Sequence, residues 1–232
     1  AVKEGVKPII GIEAYVTPET ARQDQTRVSW DTNWNPDIDP QHRRRNPNDV
    51  SGGGLITHLT MWAETDEGLV NLMKASTDAN LEGRVMRYPR MDKEILAKYS
   101  KGIIASSGCP SGIIQTRLLL GQFDEALRAA GELQDIFGRD NFYIEFMDHG
   151  LKIEKQVTDG LLDIAKKLNA PLLATNDSHY VRAEDAGSQD AMLCINSGST
   201  LDEPGRFKFD GTGYYLKSAE EMRELFKDIP EA

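Results

Sequence analysis

The chain has 232 residues, with 27 Lys and Arg against 37 Asp and Glu, a formal net charge of −10. Apolar residues make up 39% and charged residues 28%, a globular balance that excludes a disordered or fibrous chain; no apolar run approaches the roughly 20 residues of a membrane-spanning helix. The negative balance argues against a surface that grips nucleic acid through bulk electrostatics, and leaves any DNA contact local or supplied by another part of a longer protein.

Residues 1–8 read as the last turn of a helix, a Gly stop and a Pro leading into a strand, with no initiator Met, so the chain reads as a fragment that begins inside a fold. No signal-peptide pattern is present. The two cysteines, Cys109 and Cys194, cannot build a disulfide framework, which points to a reducing, cytoplasmic compartment.

Pro8 to Val16 is the first predicted strand, apolar enough for burial on both faces. Residues 17–54 then break all periodicity and close on Ser51-Gly-Gly-Gly54. A loop this long is mobile or functional, and its Arg43, Arg44 and Arg45 form a solvated run or, less often, a phosphate contact. Leu55–Ala63 is the second strand, with a helix at about 67–80 behind it. A third strand, Gly102–Ser107, runs into Gly108-Cys-Pro-Ser-Gly112. Helices follow at about 110–120 and 122–137, the second amphipathic by the spacing of Leu127, Ala130, Leu133, Gln134 and Phe137. Asn141–Met147 is the fourth strand, and a helix to about 168 carries Ile153, Val157, Leu161, Ile164 and Leu168 on one stripe. Asn169 suits its C-cap, and Ala170–Thr175 is the fifth strand.

The βαβα order predicts an α/β fold with a parallel sheet and helices outside it. The tail breaks this rhythm: Phe207–Lys217 reads as strand, turn and strand, after which Ser218 and Glu221 form a capping box that opens a further helix.

Chemistry-bearing residues gather at the predicted strand ends: Glu13, His58, Cys109, then Glu145, Asp148 and His149, then Asn176-Asp-Ser-His179. In a parallel α/β barrel these ends form one rim, and His, Cys, Asp and Glu are the side chains that ligate transition metals. Each has a plainer reading. Glu13 in an apolar strand needs a metal or an ion-pair partner, because an unpaired buried carboxylate is costly. His58 is a ligand or a satisfied core histidine, and Cys109 alone is a small buried hydrophobe or a ligand exposed by Gly108 and Pro110. Asp177 and His179, two apart in extended chain, point to one side. Asp148 reads as the N-cap of the following helix, His149 as a first-turn passenger, and Cys194 as packing. Together the strand ends point to a metal centre.

Five stretches then carry a family resemblance: Lys7–Val16, Thr57-His-Leu-Thr60, Ser107–Gly112, Phe146–Gly150 and Ala174–Val181. In this order they resemble the PHP (polymerase and histidinol phosphatase) domain of the bacterial replicative DNA polymerase III alpha family, in an actinobacterial style. The resemblance covers nearly the whole chain except the loop at 17–54. It implies a distorted seven-stranded (β/α) TIM-like barrel holding up to three zinc or manganese ions, with Glu13, His58, Cys109, Asp177 and His179 at family ligand positions. It further implies that such a cluster activates a water and cleaves a phosphodiester, as a 3′→5′ proofreading exonuclease. The family's His-x-His motif and Asp-His pair do not occur here, so the first barrel strands and about half of the ligands are expected to lie outside this chain, leaving fewer ions or none bound.

Residues 1–205 are thus expected to form a partial PHP barrel and residues 206–232 the junction toward the polymerase palm. The parent would be a DNA-directed DNA polymerase whose aspartates are not in this chain, and the fragment alone would be inactive. The rival reading is a non-catalytic scaffold that steadies the polymerase or docks a separate exonuclease. The expected partners are DNA, through the parent, and replisome subunits such as a clamp or a proofreading exonuclease. The exposed barrel edges would favour self-association.

Overall fold

A computed structural model describes residues 1–31, 46, 48, 49 and 54–232, so His42 and the triple arginine at 43–45 lie outside the described residues. The described strands are β1 (Gly11–Val16), β2 (Thr57–Ala63), β3 (Arg84–Val85), β4 (Tyr88–Met91), β5 (Ile103–Ser106), β6 (Phe142–Phe146) and β7 (Leu172–Ala174). The helices are α1 (Asp66–Glu82), α2 (Lys93–Tyr99), α3 (Ile113–Leu119), α4 (Phe123–Phe137), α5 (Lys152–Leu168), α6 (Ala186–Ser197) and α7 (Ala219–Leu225). Their boundaries have local causes. The Thr65 hydroxyl accepts from Gly68 N at 3.1 Å to start α1, and Asp92 accepts from Ile95 N at 3.1 Å to start α2. Asn169, left-handed at φ 49°, ends α5 as its sequence position suggested.

The strands form one seven-stranded sheet in the order β3-β4-β1-β2-β5-β6-β7. The α/β class holds, but the sheet is mixed rather than parallel: β2 runs antiparallel to both β1 and β5, while β4–β1, β5–β6 and β6–β7 are parallel. The order of elements alone does not fix strand direction: β2 and β5 are antiparallel although α1 and α2 lie between them. Among the described residues the sheet is open, with β3 and β7 at its edges.

Alternation along β2 sorts its two faces. Thr57, Leu59 and Met61 are buried against the helices, whereas His58 and Thr60 turn to the other face. The helix-side core joins Ala105, Phe142 and Ile144 of the sheet to Leu72 and Ala79 of α1, Leu133 and Phe137 of α4, and Leu161 and Ile164 of α5. Ile144, with 0% exposure, contributes about 1.5–3 kcal/mol by leaving water.

Three sequence expectations need correction. The first strand begins only at Gly11, with Ile9 and Ile10 largely exposed, and its second face is open rather than buried. Residues 84–99, unassigned in the sequence, hold β3, β4 and α2. Arg90 there is fully buried; its guanidinium donates to the carbonyls of Leu55, Arg22 and Asp24 and so fastens three segments together. Finally, Phe207–Lys217 forms no strand. A single bridge pairs Tyr215 with Tyr180, and the segment docks through its aromatic rings instead. The capping box at Ser218 and Glu221 is present, and Phe226 beyond it enters the core.

Candidate metal centre

The antiparallel turn of β2 decides where His58 goes. His58 lies at the start of its strand, not at the end expected from the sequence. Because β2 is reversed, that start sits on the same rim as the ends of β1, β5 and β6. The β1–β2 register sets Glu13 opposite Thr60 and His58 opposite Tyr15, which makes Glu13 and His58 diagonal neighbours on the open face. His58 Nδ1 lies 2.8 Å from Glu13 Oε1. Glu13 is therefore paired and half exposed, not a buried orphan.

Cys109 arrives on the turn after β5. Gly108 takes φ +79°, and a Cβ there would come within 3.1 Å of the His58 carbonyl, so the turn needs glycine. The turn is tied to β2 by His58 N donating to Ser111 O at 3.1 Å. The Cys109 sulfur then lies 3.3 Å from His58 Nδ1 and 3.6 Å from Glu13 Oε1. One donor atom from each of Glu13, His58 and Cys109 falls within 4.8 Å of the others.

Asp177 and His179 follow β7. Asp177 is left-handed at φ 42° rather than extended, yet its Oδ2 still meets His179 Nε2 at 3.3 Å. This pair lies outside the tight trio, but its charges reach it. The hydrogen bond from His58 outweighs burial and, with His179 adding to it, holds the Glu13 carboxyl below the usual range. Burial first, then the charges of Glu13 and Asp177, push the Cys109 thiol up, so a cation would have to displace its proton. A thiol, an imidazole and a carboxylate are a donor set suited to a borderline-soft divalent ion such as zinc, and Asp177 would add hard oxygen and His179 a second imidazole nitrogen.

Residues 1–149 match the family model of the PHP domain. The chain belongs to the PHP domain family. It is 52% identical over 228 residues to a DNA polymerase III subunit alpha of Mycobacterium tuberculosis (strain ATCC 25618 / H37Rv), covering 98% of this chain and 18% of that protein. To the DNA polymerase III subunit alpha of Saccharopolyspora erythraea it is 53% identical over 233 residues, covering 100% and 19%. To that of Borreliella burgdorferi it is 37% identical over 235 residues, covering 100% and 18%. The PHP chain thus spans less than a fifth of the length of these curated relatives.

Beneath the rim, this PHP domain holds residues that the sequence reading undervalued. Glu145, only 3% exposed, accepts from the Ser106 hydroxyl, from Gly108 N at 3.1 Å and from the Thr175 hydroxyl, so one carboxylate links the ends of β5, β6 and β7. Burial pushes its pKa up, against the pull of those donors. A charged residue inside the apolar run Phe142–Phe146 was the available signal. His149 is not a first-turn passenger: its side chain is 2% exposed, with Nδ1 2.6 Å from Glu154 Oε1 and Nε2 2.7 Å from the Asn176 carbonyl. Nor does Asp148 cap α5. It accepts from Gly150 N at 2.8 Å, while Glu154 takes the amides of His149 and Leu151. Cys194 is buried, in keeping with a packing role.

Proposed function

We propose that the chain is part of the PHP domain of a replicative DNA polymerase III alpha subunit, and that this domain is a metal-dependent phosphoesterase acting as a 3′→5′ proofreading exonuclease in the whole protein. Residues 1–205 are assigned to the PHP domain and 206–232 to the connection toward the polymerase palm. The observation that carries the reading is the convergence of Glu13, His58 and Cys109, with Asp177 and His179 close enough to bias their charges. These five residues would hold zinc or manganese. A bound divalent cation supplies Lewis acidity to a phosphoryl oxygen and lowers the pKa of a water.

The chain's own groups prepare the site. Glu13 accepts the His58 Nδ1 hydrogen bond and so fixes that ring. The Gly108 turn aims the Cys109 sulfur at both. The charge of −10 calls for cations between the site and a phosphodiester.

Metal content of the purified chain by plasma mass spectrometry, with Asp177→Ala beside it, is the test, paired with degradation of a 3′-mismatched primer by the full-length polymerase. The reading expects bound zinc or manganese that is lost in Asp177→Ala, and primer degradation that disappears with it. Metal without degradation would leave the PHP domain a metal-stabilised scaffold. Neither metal nor degradation would overturn the site as well as the activity.

A further inference from the structure

We propose that His149 is a positioning residue of the candidate metal centre: bridging Glu154 and the Asn176 carbonyl beneath the ring of Tyr214, it sets the strand end that carries Asp177 and His179. This rests on reading that centre as a metal site. The argument starts from the peptide plane. The Asn176 carbonyl and the Asp177 amide belong to one rigid unit, so a hydrogen bond that fixes the carbonyl oxygen also fixes the rotation on which Asp177 φ depends. Asp177 sits at φ 42°, a left-handed conformation that aspartate tolerates better than most residues with a Cβ but that still costs more than the right-handed one, so the contacts that select it matter. His149 Nε2, 2.7 Å from that oxygen, is the group that pins the plane.

The ring is itself held on three sides. A carbonyl oxygen only accepts, so Nε2 carries a proton, and Nδ1 faces the Glu154 carboxylate at 2.6 Å. Both nitrogens therefore donate, and the buried imidazolium is balanced by a buried carboxylate. Tyr214 stacks on the ring at 4.1 Å and 15°, a face suited to a cation. The same tyrosine's carbonyl accepts from His179 N at 2.8 Å. Lys217 Nζ reaches Asn176 Oδ1 at 2.6 Å, and Asn176 Nδ2 donates to the Tyr215 carbonyl. The strand end is thus clamped between α5 and the segment 213–217, and His149 joins the two halves of the clamp.

Two readouts separate this from a merely structural role. In cobalt titrations of the chain, His149→Ala and Tyr214→Ala are expected to weaken binding about 10–100-fold, the usual cost of losing a residue that orients a ligand. The thiolate-to-cobalt absorption from Cys109 should persist at saturation, because Glu13, His58 and Cys109 are held by other elements. Tyr214→Phe keeps the stacked ring and is expected to bind like the unaltered chain. Unchanged affinity in both alanine variants, or loss of the thiolate band together with the affinity, would overturn the proposal. The second readout needs no metal. In 15N-histidine spectra at pH 7, His149 should carry protons on both nitrogens, and the His179 amide should lose hydrogen-exchange protection in Tyr214→Ala but keep it in Tyr214→Phe. A singly protonated His149, or unaltered His179 protection in Tyr214→Ala, would refute the clamp even if the unaltered chain took up no cobalt, a result that by itself would count against the metal reading.

Discussion

Replacing Glu145 by alanine removes the one acceptor shared by the ends of β5, β6 and β7. Gly108 N–H, which now donates to Oε2 at 3.1 Å, would be left unpaired beneath the rim, at a cost of about 1–3 kcal/mol. The Ser106 and Thr175 hydroxyls can rotate toward other acceptors and add little. The lost methylene adds about 0.8 kcal/mol. Release of a carboxylate whose burial pushes its pKa up offsets part of this, which gives a net loss of about 1–3 kcal/mol. For a chain of this size each kcal/mol lowers Tm by about 2–4 °C, so a fall of about 2–12 °C is expected in a circular-dichroism melt at pH 7. Glu145→Gln keeps an oxygen for Gly108 N–H and turns its amide toward the Thr175 hydroxyl, which can accept. Its expected loss is no more than about 1 kcal/mol. If the glutamine variant melts as low as the alanine one, the charge matters rather than the acceptor, and the reasoning fails. An alanine variant within 2 °C of the unaltered chain, roughly the shift from one kcal/mol, would refute it from the other side.

The His149–Glu154 pair makes a pH prediction. Burial alone would push His149 down, but Glu154 and the Asn176 carbonyl outweigh it and hold its pKa above 6.5; burial would push Glu154 up, but the His149 bonds hold it below 4.5. A raised histidine stabilises below its unfolded value and loses that contribution as pH rises through the folded one, and a depressed glutamate behaves in the opposite sense. The Tm advantage over Glu154→Gln should therefore be largest between about pH 4.5 and 6.5 and shrink on either side. An advantage still growing at alkaline pH would contradict the ion pair. In the metal-free chain Cys109 should alkylate with iodoacetamide more slowly than an ordinary thiol, because burial and the Glu13 charge disfavour its thiolate. Glu13→Gln should speed the reaction, as followed by peptide mass mapping; an unaltered rate would mean that the carboxylate does not act on the sulfur.

What the sequence made legible follows from period and residue chemistry. The apolar stripe of α5, with Val157, Leu161 and Ile164, survives intact because a 17-residue amphipathic helix averages out local accidents. Glu13, His58 and Cys109 could be picked out because polar ligand types in apolar strands are rare enough to notice. The direction of β2 was not legible, since alternation along a strand is the same read either way. β3 and β4, of two and four residues, are too short to show a period, and Arg90 within β4 reads as a surface residue while it is fully buried among carbonyls. The tail's alternating aromatics imitate strands, yet Phe209 and Tyr214 are spaced to meet the His179 ring, a tertiary contact that no local pattern reports. His149 was missed partly for the same reason: Glu154 is a local partner five residues on, but Asn176 becomes a neighbour only when β6 and β7 are paired.

The reversed strand has a consequence for the order of assembly. The connections from β2 to β5 and from β1 to β2 are both about forty residues long. The first contains α1 and α2, helices that form locally and bring its ends together early. Among the described residues the second, which β1 must close before it pairs with β2, contains no helix. Relative to a four-residue hairpin, that closure costs about 2 kcal/mol more in chain entropy. Glu13 rides on the late strand, while His58 and Cys109 belong to the early unit. The three donor atoms are therefore brought together by one of the last steps of folding, and a mutation that slows the docking of β1 would delay the appearance of the site while leaving most of the helix content in place.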